Sequence, residues 1–392
     1  MEDHPQPQNE EAVNFLIALG KEAGLESEVI EVHPGRPVAI LSWKGSDPSL
    51  PSVLLSNHYD VVPVQKDKWK CDPWAAEKDG EGNIFGRGTQ DMKSVGIQYI
   101  YALKRLKTEG YQPLRTIYIV CVPDEEIGGK LGMSLFVQSP TFKKMNVGVS
   151  LDEGLASPDD SFKVYYGERI EATAEGAAGH GSRFIEGTAT QKLMGLVDQM
   201  MKFREEQFEK YQRDQHSCGT QLGDVISVTL TSLNAGVTRT PEGKDMEKGS
   251  ISVNVIPTVA KAGFDLRIPP TENLERFMNM IRGWAQERGC TIDLLSGDFK
   301  NGRTDIGEDA KWWKVLKNSM QSINLKVDPQ IFPAGTDSRF FRNMNIPAFG
   351  FSPINHTPVL LHDHNEYLNE KVFLKGIDVY TRLIRDLSSE QC

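Results

Sequence analysis

Apolar residues in the first third of the chain form short, unbroken runs. Such runs occur at Val38–Trp43, Val53–Leu55, Thr116–Val122 and Val147–Leu151, and a helical stretch, Ser94–Thr108, lies among them. Strands without an apolar–polar alternation are typical of a sheet that is buried on both faces. The pattern therefore predicts an α/β domain in which helices cover both sides of a sheet.

The pattern changes in the middle of the chain, where apolar and polar residues alternate. The alternation covers Lys163–Ala174, Val225–Leu233 and Ser252–Ile268, which predicts half-buried antiparallel strands. Two long amphipathic helices are predicted beside them, at about Thr188–Arg213 and Leu274–Arg288. These elements favour a compact α+β unit, a four-stranded antiparallel sheet with two helices.

The α/β rhythm returns near Ala310. The predicted elements there are a helix at Trp312–Ile323, strands near Gln330–Phe332 and Ala348–Phe351, and a last helix near Val372–Leu387. We therefore predict a discontinuous outer domain, residues 1–167 and 300–392, that carries an inserted domain, residues 168–299.

Composition limits the class of protein. The 392 residues include 44 basic and 54 acidic side chains, a net charge of −10, which argues against a nucleic-acid groove. The longest apolar stretch, around Ile117–Val122, is too short to span a membrane, and the start MEDHPQPQNEEAV lacks the features of a signal peptide. Five cysteines without a C-x-x-C pair indicate reduced thiols. We expect a cytoplasmic protein that acts on a small molecule, without a nucleic-acid or membrane partner.

Histidines and carboxylates stand at the ends of the predicted strands. The five positions are His58-Tyr59-Asp60, Asp91, Asp124-Glu125-Glu126, Asp152-Glu153, and His362 or His364. Any one of them could be a solvated or capping residue. Together they offer the imidazole and carboxylate ligands of a two-metal site, which suit Zn²⁺, Co²⁺ or Mn²⁺.

Charge arithmetic assigns roles within such a site. Two divalent ions carry +4, and Asp91, Glu126 and Glu153 would cancel −3, which leaves a positive field that acidifies a bridging water. One carboxylate between the ions, Asp91, would hold them about 3.5–4 Å apart. One acid must stay off the metals and accept the proton of the water, and the adjacent Glu125 and Glu126 can divide these two jobs. Asp60 is placed to orient His58 or its metal ion.

Nine motifs together resemble the M20 metallopeptidase family, in order and over almost the whole chain. They are HYDVVPV, GRGTQDMK, VPDEEIGG, LDEG, AAGHGSRF, NVIP, FDLR, GTDSRFFR and GFSPINHTPVLLHDHNE. The resemblance implies a catalytic domain that holds two Zn²⁺ per subunit. It also implies that the inserted domain is a lid through which a homodimer forms.

The resemblance implies a role for each matching residue. In the family the ligand histidine stands four residues before a glutamate, and because Glu366 is four residues after His362, His362 rather than His364 is the expected ligand. The remaining implied roles are His58 as the first zinc histidine, Asp91 as the bridging carboxylate, Glu126 and Glu153 as terminal ligands, and Glu125 as the general base.

Further positions match residues that contact the substrate in the family. His180 matches a lid histidine that reaches the partner subunit's active site and helps to polarise the scissile carbonyl. The matching substrate contacts are Asn254, Arg267, Thr336 and Arg339, and Arg342 could share or replace the role of Arg339 on the substrate carboxylate. Simpler interpretations remain, because Arg267 could be a solvated sheet residue, Asn254 a turn residue and His180 a loop residue.

We expect zinc-dependent hydrolysis of the amide bond of N-acyl-L-amino acids to a carboxylate and a free L-amino acid, with a metal-bridged water activated by Glu125. One alternative is a dipeptidase or exopeptidase on the same scaffold. Another is a catalytically inactive, dimeric binding protein.

Overall fold

The structure, a computed structural model, describes residues 9–166, 170–177, 186–218, 225–234, 259–269, 272–293, 303–330, 332 and 335–389. Contacts divide the chain into two units. The first comprises Met1–Gly167, Gly302–Phe332 and Thr336–Cys392, and the second comprises Glu168–Asn301 with Pro333–Gly335. The change in the sequence pattern predicted domain boundaries at 167/168 and 299/300. It did not predict that residues 333–335 group with the second unit.

The described helices and strands are numbered in chain order. The strands are β1 (Glu26–His33), β2 (Arg36–Trp43), β3 (Ser52–His58), β4 (Glu77–Lys78), β5 (Asn83–Phe85), β6 (Ile117–Val122), β7 (Val147–Asp152), β8 (Ser161–Tyr165), β9 (Ile170–Ala177), β10 (Ser227–Asn234), β11 (Val259–Arg267), β12 (Cys290–Asp293), β13 (Lys326–Gln330), β14 (Ala348–Phe351) and β15 (Tyr367–Asn369). The α-helices are α1 (Asn9–Glu22), α2 (Lys93–Thr108), α3 (Met133–Phe136), α4 (Pro140–Met145), α5 (Ala189–Cys218), α6 (Leu274–Glu287), α7 (Lys311–Ser322), α8 (Ser338–Asn343) and α9 (Glu370–Ser389).

The first unit is built on an eight-stranded sheet in the order β1-β2-β6-β3-β7-β14-β8-β13. The β3/β6, β3/β7, β7/β14 and β8/β13 pairs are parallel, whereas β1/β2, β2/β6 and β8/β14 are antiparallel. A mixed sheet flanked by helices is therefore confirmed.

Neighbouring residues of β3 face opposite sides of this sheet, and both sides are buried. Val53 and Leu55 belong to a core shared with α1, α2, α7 and α9. Leu54 belongs to a second core, which includes Phe136 of α3 and Phe142 of α4. Because side chains alternate across a strand, two covered faces require the unbroken apolar runs seen in the sequence.

The second unit contains a four-stranded sheet in the order β10-β11-β9-β12, and each pairing in it is antiparallel. Its core joins the apolar faces of α5 and α6 to one face of the sheet. The buried residues include Leu193, Leu196, Met200, Phe277, Ile281, Val228, Phe264 and Leu266.

One predicted strand is wrong. The stretch Lys163–Ala174 holds the end of β8 and the beginning of β9, which belong to different sheets and different units. Val164, Tyr165 and Tyr166 interrupt the alternation at the end of β8, and only the part of the stretch from Ile170 alternates regularly. The predicted loop Thr238–Gly249 lies outside the described residues.

Short elements escaped the sequence analysis. They include β12 and a three-stranded sheet in the order β15-β5-β4. Among the helices in the described ranges, none is long and apolar enough to cross a membrane.

Candidate metal centre

The parallel strands β3 and β7 bring the first two candidate ligands together. His58 is the last residue of β3, and Glu153 directly follows β7. Because the carboxyl ends of neighbouring parallel strands meet at one sheet edge, the two side chains converge, with His58 Nε2 at 3.5 Å from Glu153 Oε2. Both residues are buried.

Asp91 lies between two histidines at the start of α2. Its Oδ1 is 3.1 Å from His58 Nε2, and its Oδ2 is 3.1 Å from His362 Nε2. Each oxygen of one carboxylate therefore faces a different imidazole. This is the arrangement that a carboxylate shared by two metal ions requires.

The other end of the centre is formed by loops. Glu126 Oε2 is 2.9 Å from His362 Nε2, and His362 itself has a φ of 62° in the left-handed region. The His362 side chain is 51% exposed, whereas that of His58 is 1% exposed. Asp91 thus connects the buried, strand-based part of the centre to a second part, in which His362 is half exposed and the side chain of Glu126, on a short 3₁₀ turn, is 6% exposed.

Two candidate ligand sets result, each with three atoms that could bind a metal ion and that lie within 4.8 Å of one another, and Asp91 belongs to both. The sets are His58, Asp91 and Glu153, and Asp91, Glu126 and His362. His364 belongs to neither set.

Asp60 supports three neighbours of the centre. Its main-chain carbonyl accepts from His58 Nδ1 at 3.0 Å, which leaves Nε2 directed at the carboxylates. Its side-chain oxygens accept the main-chain N–H groups of Glu125 at 3.2 Å and of Glu126 at 3.1 Å. A single residue therefore fixes one ligand histidine and the backbone of the acidic pair.

The turn after β6 gives the acidic pair its shape. Asp124 Oδ2 accepts the N–H groups of Leu131 and Gly132, both at 2.8 Å. A Cβ on Gly132 would lie 1.9 Å from Asp124 Oδ1, so only glycine fits there. Gly128, at a φ of 93°, turns the chain back directly after the pair.

Burial and mutual proximity shift the ionisation of the acids. Burial raises the pKa of Glu125 and of Glu153 well above the ordinary value for a glutamate. Burial also opposes ionisation of Asp91, but hydrogen bonds with His362 and His58 outweigh it and lower the pKa of Asp91. Glu125 is thus a carboxyl that accepts a proton more readily than an exposed glutamate.

The histidines shift in the opposite sense from isolated buried imidazoles. Hydrogen bonds with Asp91 and Glu126 raise the pKa of His362 to about 10. Burial lowers the pKa of His58, but the nearby Glu153, Asp60 and Asp91 outweigh burial and raise it well above its ordinary value. Such a concentration of negative charge around two imidazoles attracts cations.

The GTDSRFFR segment places its two arginines differently. Arg342 is buried, and its Nη2 donates to the main-chain carbonyls of Ala348 at 2.9 Å and Tyr165 at 3.3 Å. Arg339 has a side chain that is 25% exposed, and its Nη1 donates to the carbonyl of Thr336 at 2.8 Å. The contacts of Arg342 are those of an internal brace.

The other predicted substrate contacts are only partly described. Thr336 is buried, and its Oγ1 accepts the N–H of Ser338 at 3.3 Å. Arg267 ends β11, and its backbone pairs with Ser227. His180 and Asn254 lie outside the described residues.

Sequence reasoning missed two buried acids beside the centre. Asp337 is 1% exposed, and among the described residues neither of its carboxylate oxygens has a hydrogen-bond partner. Glu366 is fully buried and binds the loop before Asp91. Each acid lies within a motif that the sequence showed. Asp337 is part of GTDSRFFR, and Glu366 is the glutamate four residues after His362.

Comparisons with known proteins show which family the chain belongs to. A model of peptidase family M20/M25/M40 matches residues 54–386. The chain belongs to the M20 family. The resemblance noted in the sequence is thereby confirmed, and the match includes each of the residues in the two ligand sets.

Full-length relatives in the M20 family are similar to this chain. Aminoacylase-1 of Dictyostelium discoideum is 49% identical over 390 residues, covering 98% of this chain and 94% of that protein. Aminoacylase-1 of Mus musculus is 44% identical over 391 residues, covering 98% and 92%. The crystal structure of the M20 family metallo-carboxypeptidase Sso-CP2 from Sulfolobus solfataricus has a TM-score of 0.72 at 16% identity and covers 97% of this chain and 94% of that chain, which establishes a shared fold.

Proposed function

We propose that this M20 enzyme hydrolyses the amide bond of N-acyl-L-amino acids, giving a carboxylate and a free L-amino acid. The observation that carries the proposal is the pair of ligand sets that share Asp91, with Glu125 beside them. Two relatives, 49% and 44% identical over almost the whole chain and both named aminoacylase-1, support the choice of substrate class.

The side chains present fit two zinc ions. Imidazole nitrogens and carboxylate oxygens are ligands that Zn²⁺ accepts, and Co²⁺ and Mn²⁺ accept them as well. One carboxylate oxygen of Glu126 is buried without a hydrogen-bond partner among the described residues, which suits a ligand. When bound, the ions would act as Lewis acids that polarise the amide carbonyl and make the attacking water more acidic. His58, Asp91 and Glu153 would hold one ion, and Asp91, Glu126 and His362 the other.

Glu125 moves the proton in the proposed reaction. Its carboxylate takes the proton of the attacking water and later passes it to the nitrogen of the leaving amine. Burial raises the pKa of this carboxyl well above the ordinary value for a glutamate, which makes it a better proton acceptor than an exposed glutamate. Asp60 accepts the main-chain N–H of Glu125, which fixes the backbone of this residue.

Arg339 is the proposed partner of the substrate α-carboxylate. A guanidinium group can donate two parallel hydrogen bonds to a carboxylate. The partial exposure of Arg339 supports this role, while the buried contacts of Arg342 with main-chain carbonyls support a structural one. Thr336 braces Arg339 through its carbonyl. Substrate contacts by Asn254 and Arg267, and carbonyl polarisation by His180 of a partner subunit, stay predictions.

A substrate panel tests the proposal. The zinc-loaded protein is expected to cleave N-acetyl-L-methionine with a higher kcat/KM than an L-methionyl dipeptide, and to leave N-acetyl-D-methionine intact. Metal analysis of the same sample is expected to give two equivalents of metal per chain. Preference for the dipeptide would favour the dipeptidase alternative, and no hydrolysis of any amide by the zinc-loaded protein would favour the inactive binding protein.

Homodimer formation through residues 168–299 and a cytoplasmic location also stay predictions. Sedimentation of the full chain tests the first. Mixing subunits that lack Glu125 with subunits that lack His180 tests whether one site uses residues of two chains, since activity would reappear only in mixed dimers.

A further inference from the structure

The buried carboxylate of Glu366 binds the loop that carries Asp91. Its Oε1 accepts the N–H groups of Gln90 at 2.6 Å and Asp91 at 3.3 Å. Its Oε2 accepts from Arg87 Nη1 at 2.7 Å and from the N–H of Gly88 at 3.2 Å. Four donors from one short loop therefore converge on a side chain that is 0% exposed.

Gln90 forms a second group of hydrogen bonds between the same two segments. Gln90 Nε2 donates to the carbonyls of Tyr367 at 2.9 Å and Pro358 at 3.1 Å, and Gln90 Oε1 accepts the N–H of Leu360 at 3.0 Å. The segment 358–367 includes His362. The loop before Asp91 and the segment around His362 are thus held together from both sides.

We propose that Glu366 is a positioning residue that locks the Asp91 loop onto the His362 segment, so that these two side chains can hold one metal ion. The inference deepens the proposed function and rests on its two-metal site. Glu366 contacts neither set of ligand atoms, so its effect is transmitted through the main chain of Asp91.

Only an ionised carboxylate satisfies all four donors. It offers two oxygens that accept and no hydrogen that donates. A glutamine at this position would turn one N–H₂ group toward two of the donors and leave them unpaired. Arg87, which is itself buried, supplies the opposite charge that keeps the buried anion.

The two ligand sets depend to different degrees on the hydrogen bonds of Glu366. His58 and Glu153 are fixed by the paired strands β3 and β7, whichever way the loop moves. His362 and Asp91 both lie on the segments that Glu366 joins. Loss of the Glu366 carboxylate should therefore weaken the metal ion held by Asp91, Glu126 and His362 first.

Zinc titration of the metal-free full chain tests the inference, with Glu366→Gln compared with wild type by calorimetry. We expect two resolved binding steps in the wild type. In Glu366→Gln one of the two steps, which we assign to the ion held by Asp91, Glu126 and His362, should lose about 10- to 100-fold in affinity, as is usual for residues that orient metal ligands. The other step should change less than about threefold. Excess zinc should restore much of the kcat of the variant, because it fills the weakened site again.

Glu370→Gln is the matched control. It is the same Glu→Gln substitution, but it removes the charge from an exposed ion pair with Lys78. Arg87→Lys is the second variant if Glu366→Gln fails to fold, and it should weaken the same step by a smaller factor. Unchanged affinities, or an equal loss at both steps, would overturn the inference. A wild type that binds one zinc ion or none would instead overturn the proposed two-metal function.

Discussion

Asp60 accepts the main-chain N–H of Glu125 through Oδ1 at 3.2 Å. Its Oδ2 accepts the N–H of Glu126 at 3.1 Å, so each oxygen of one carboxylate holds one residue of the acidic pair. The carbonyl of Asp60 faces His58 Nδ1 at 3.0 Å. The proposed base and a ligand from each set are therefore oriented by one side chain and its own backbone.

Asp60→Asn should keep one of the two hydrogen bonds to the main chain and remove the other. An amide has one accepting oxygen, so its N–H₂ group would face the N–H of either Glu125 or Glu126. A buried donor left without a partner costs about 1–3 kcal/mol, and kcat should fall because the base is displaced. Urea unfolding and steady-state kinetics on N-acetyl-L-methionine measure the two effects. Asp67→Asn, at an exposed position, is the control, and equal behaviour of the two variants would contradict the role of Asp60.

Glu125→Gln should remove the proton acceptor while it keeps the shape of the side chain. We expect kcat to fall by about 10²–10⁴-fold, the usual contribution of a general base, with metal content unchanged. The metal-free variant should also be more stable than wild type at neutral pH, because a buried carboxyl whose pKa is raised by desolvation is replaced by a neutral amide.

Kinetics, metal analysis and thermal unfolding of the same preparation test Glu125. Glu22→Gln, on an exposed face of α1, is the matched control for the amide substitution. A folded, metal-loaded Glu125→Gln protein with wild-type turnover would show that another group accepts the proton.

Substitution of the two arginines of the GTDSRFFR segment should have different effects, one on substrate binding and the other on stability. Arg339→Ala should raise KM for N-acyl-L-amino acids at least tenfold, with little change in the free energy of unfolding, because Arg339 is partly exposed. Arg342→Ala should lower that free energy by about 1–3 kcal/mol, because the carbonyls of Ala348 and Tyr165 lose a buried donor. A stable Arg342→Ala protein with a raised KM would reverse the assignment.

The buried runs and the strand-end residues explain how much of this fold the sequence could predict. Val53, Leu54 and Leu55 indicated a sheet covered on two faces, and β3 indeed supplies both cores. The resemblance to the M20 family, through its motif of a histidine four residues before a glutamate, favoured His362 over His364, and His362 lies in one of the two candidate ligand sets. These features depend on residues close in sequence, where periodicity and spacing carry the information.

The remaining features depend on contacts between distant residues. Glu366 and Arg87 are 279 positions apart, and no local pattern marks either as half of a buried pair. The choice between Arg339 and Arg342 depends on whether strands β8 and β14 offer carbonyls, which is a property of the assembled sheet. The end of β8 and the start of β9 are close in sequence, but their membership of two different sheets is likewise a property of the assembled fold.

The metal-free protein should lose stability as the pH rises from about 6.5 to about 10. Asp91 and Glu126 raise the pKa of His362 from an ordinary value near 6.5 to about 10, so its contribution is complete below about pH 6.5 and is lost as the pH passes through about 10. The raised pKa values of His58, Glu125 and Glu153 act in the same direction. The lowered pKa of Asp91 acts in the opposite direction, and only in acid.

Zinc should flatten this dependence, because a bound cation replaces the protons that otherwise neutralise the acids. Urea unfolding at several pH values between about 6.5 and about 10 measures it, with chelator-treated protein compared with zinc-loaded protein. His362→Gln should reduce the slope of the metal-free protein, whereas His33→Gln on the exposed strand β1 should not. A metal-free protein whose stability stays constant or rises over this range would mean that the histidines and acids do not share protons, and the two ligand sets would then be wrongly assigned.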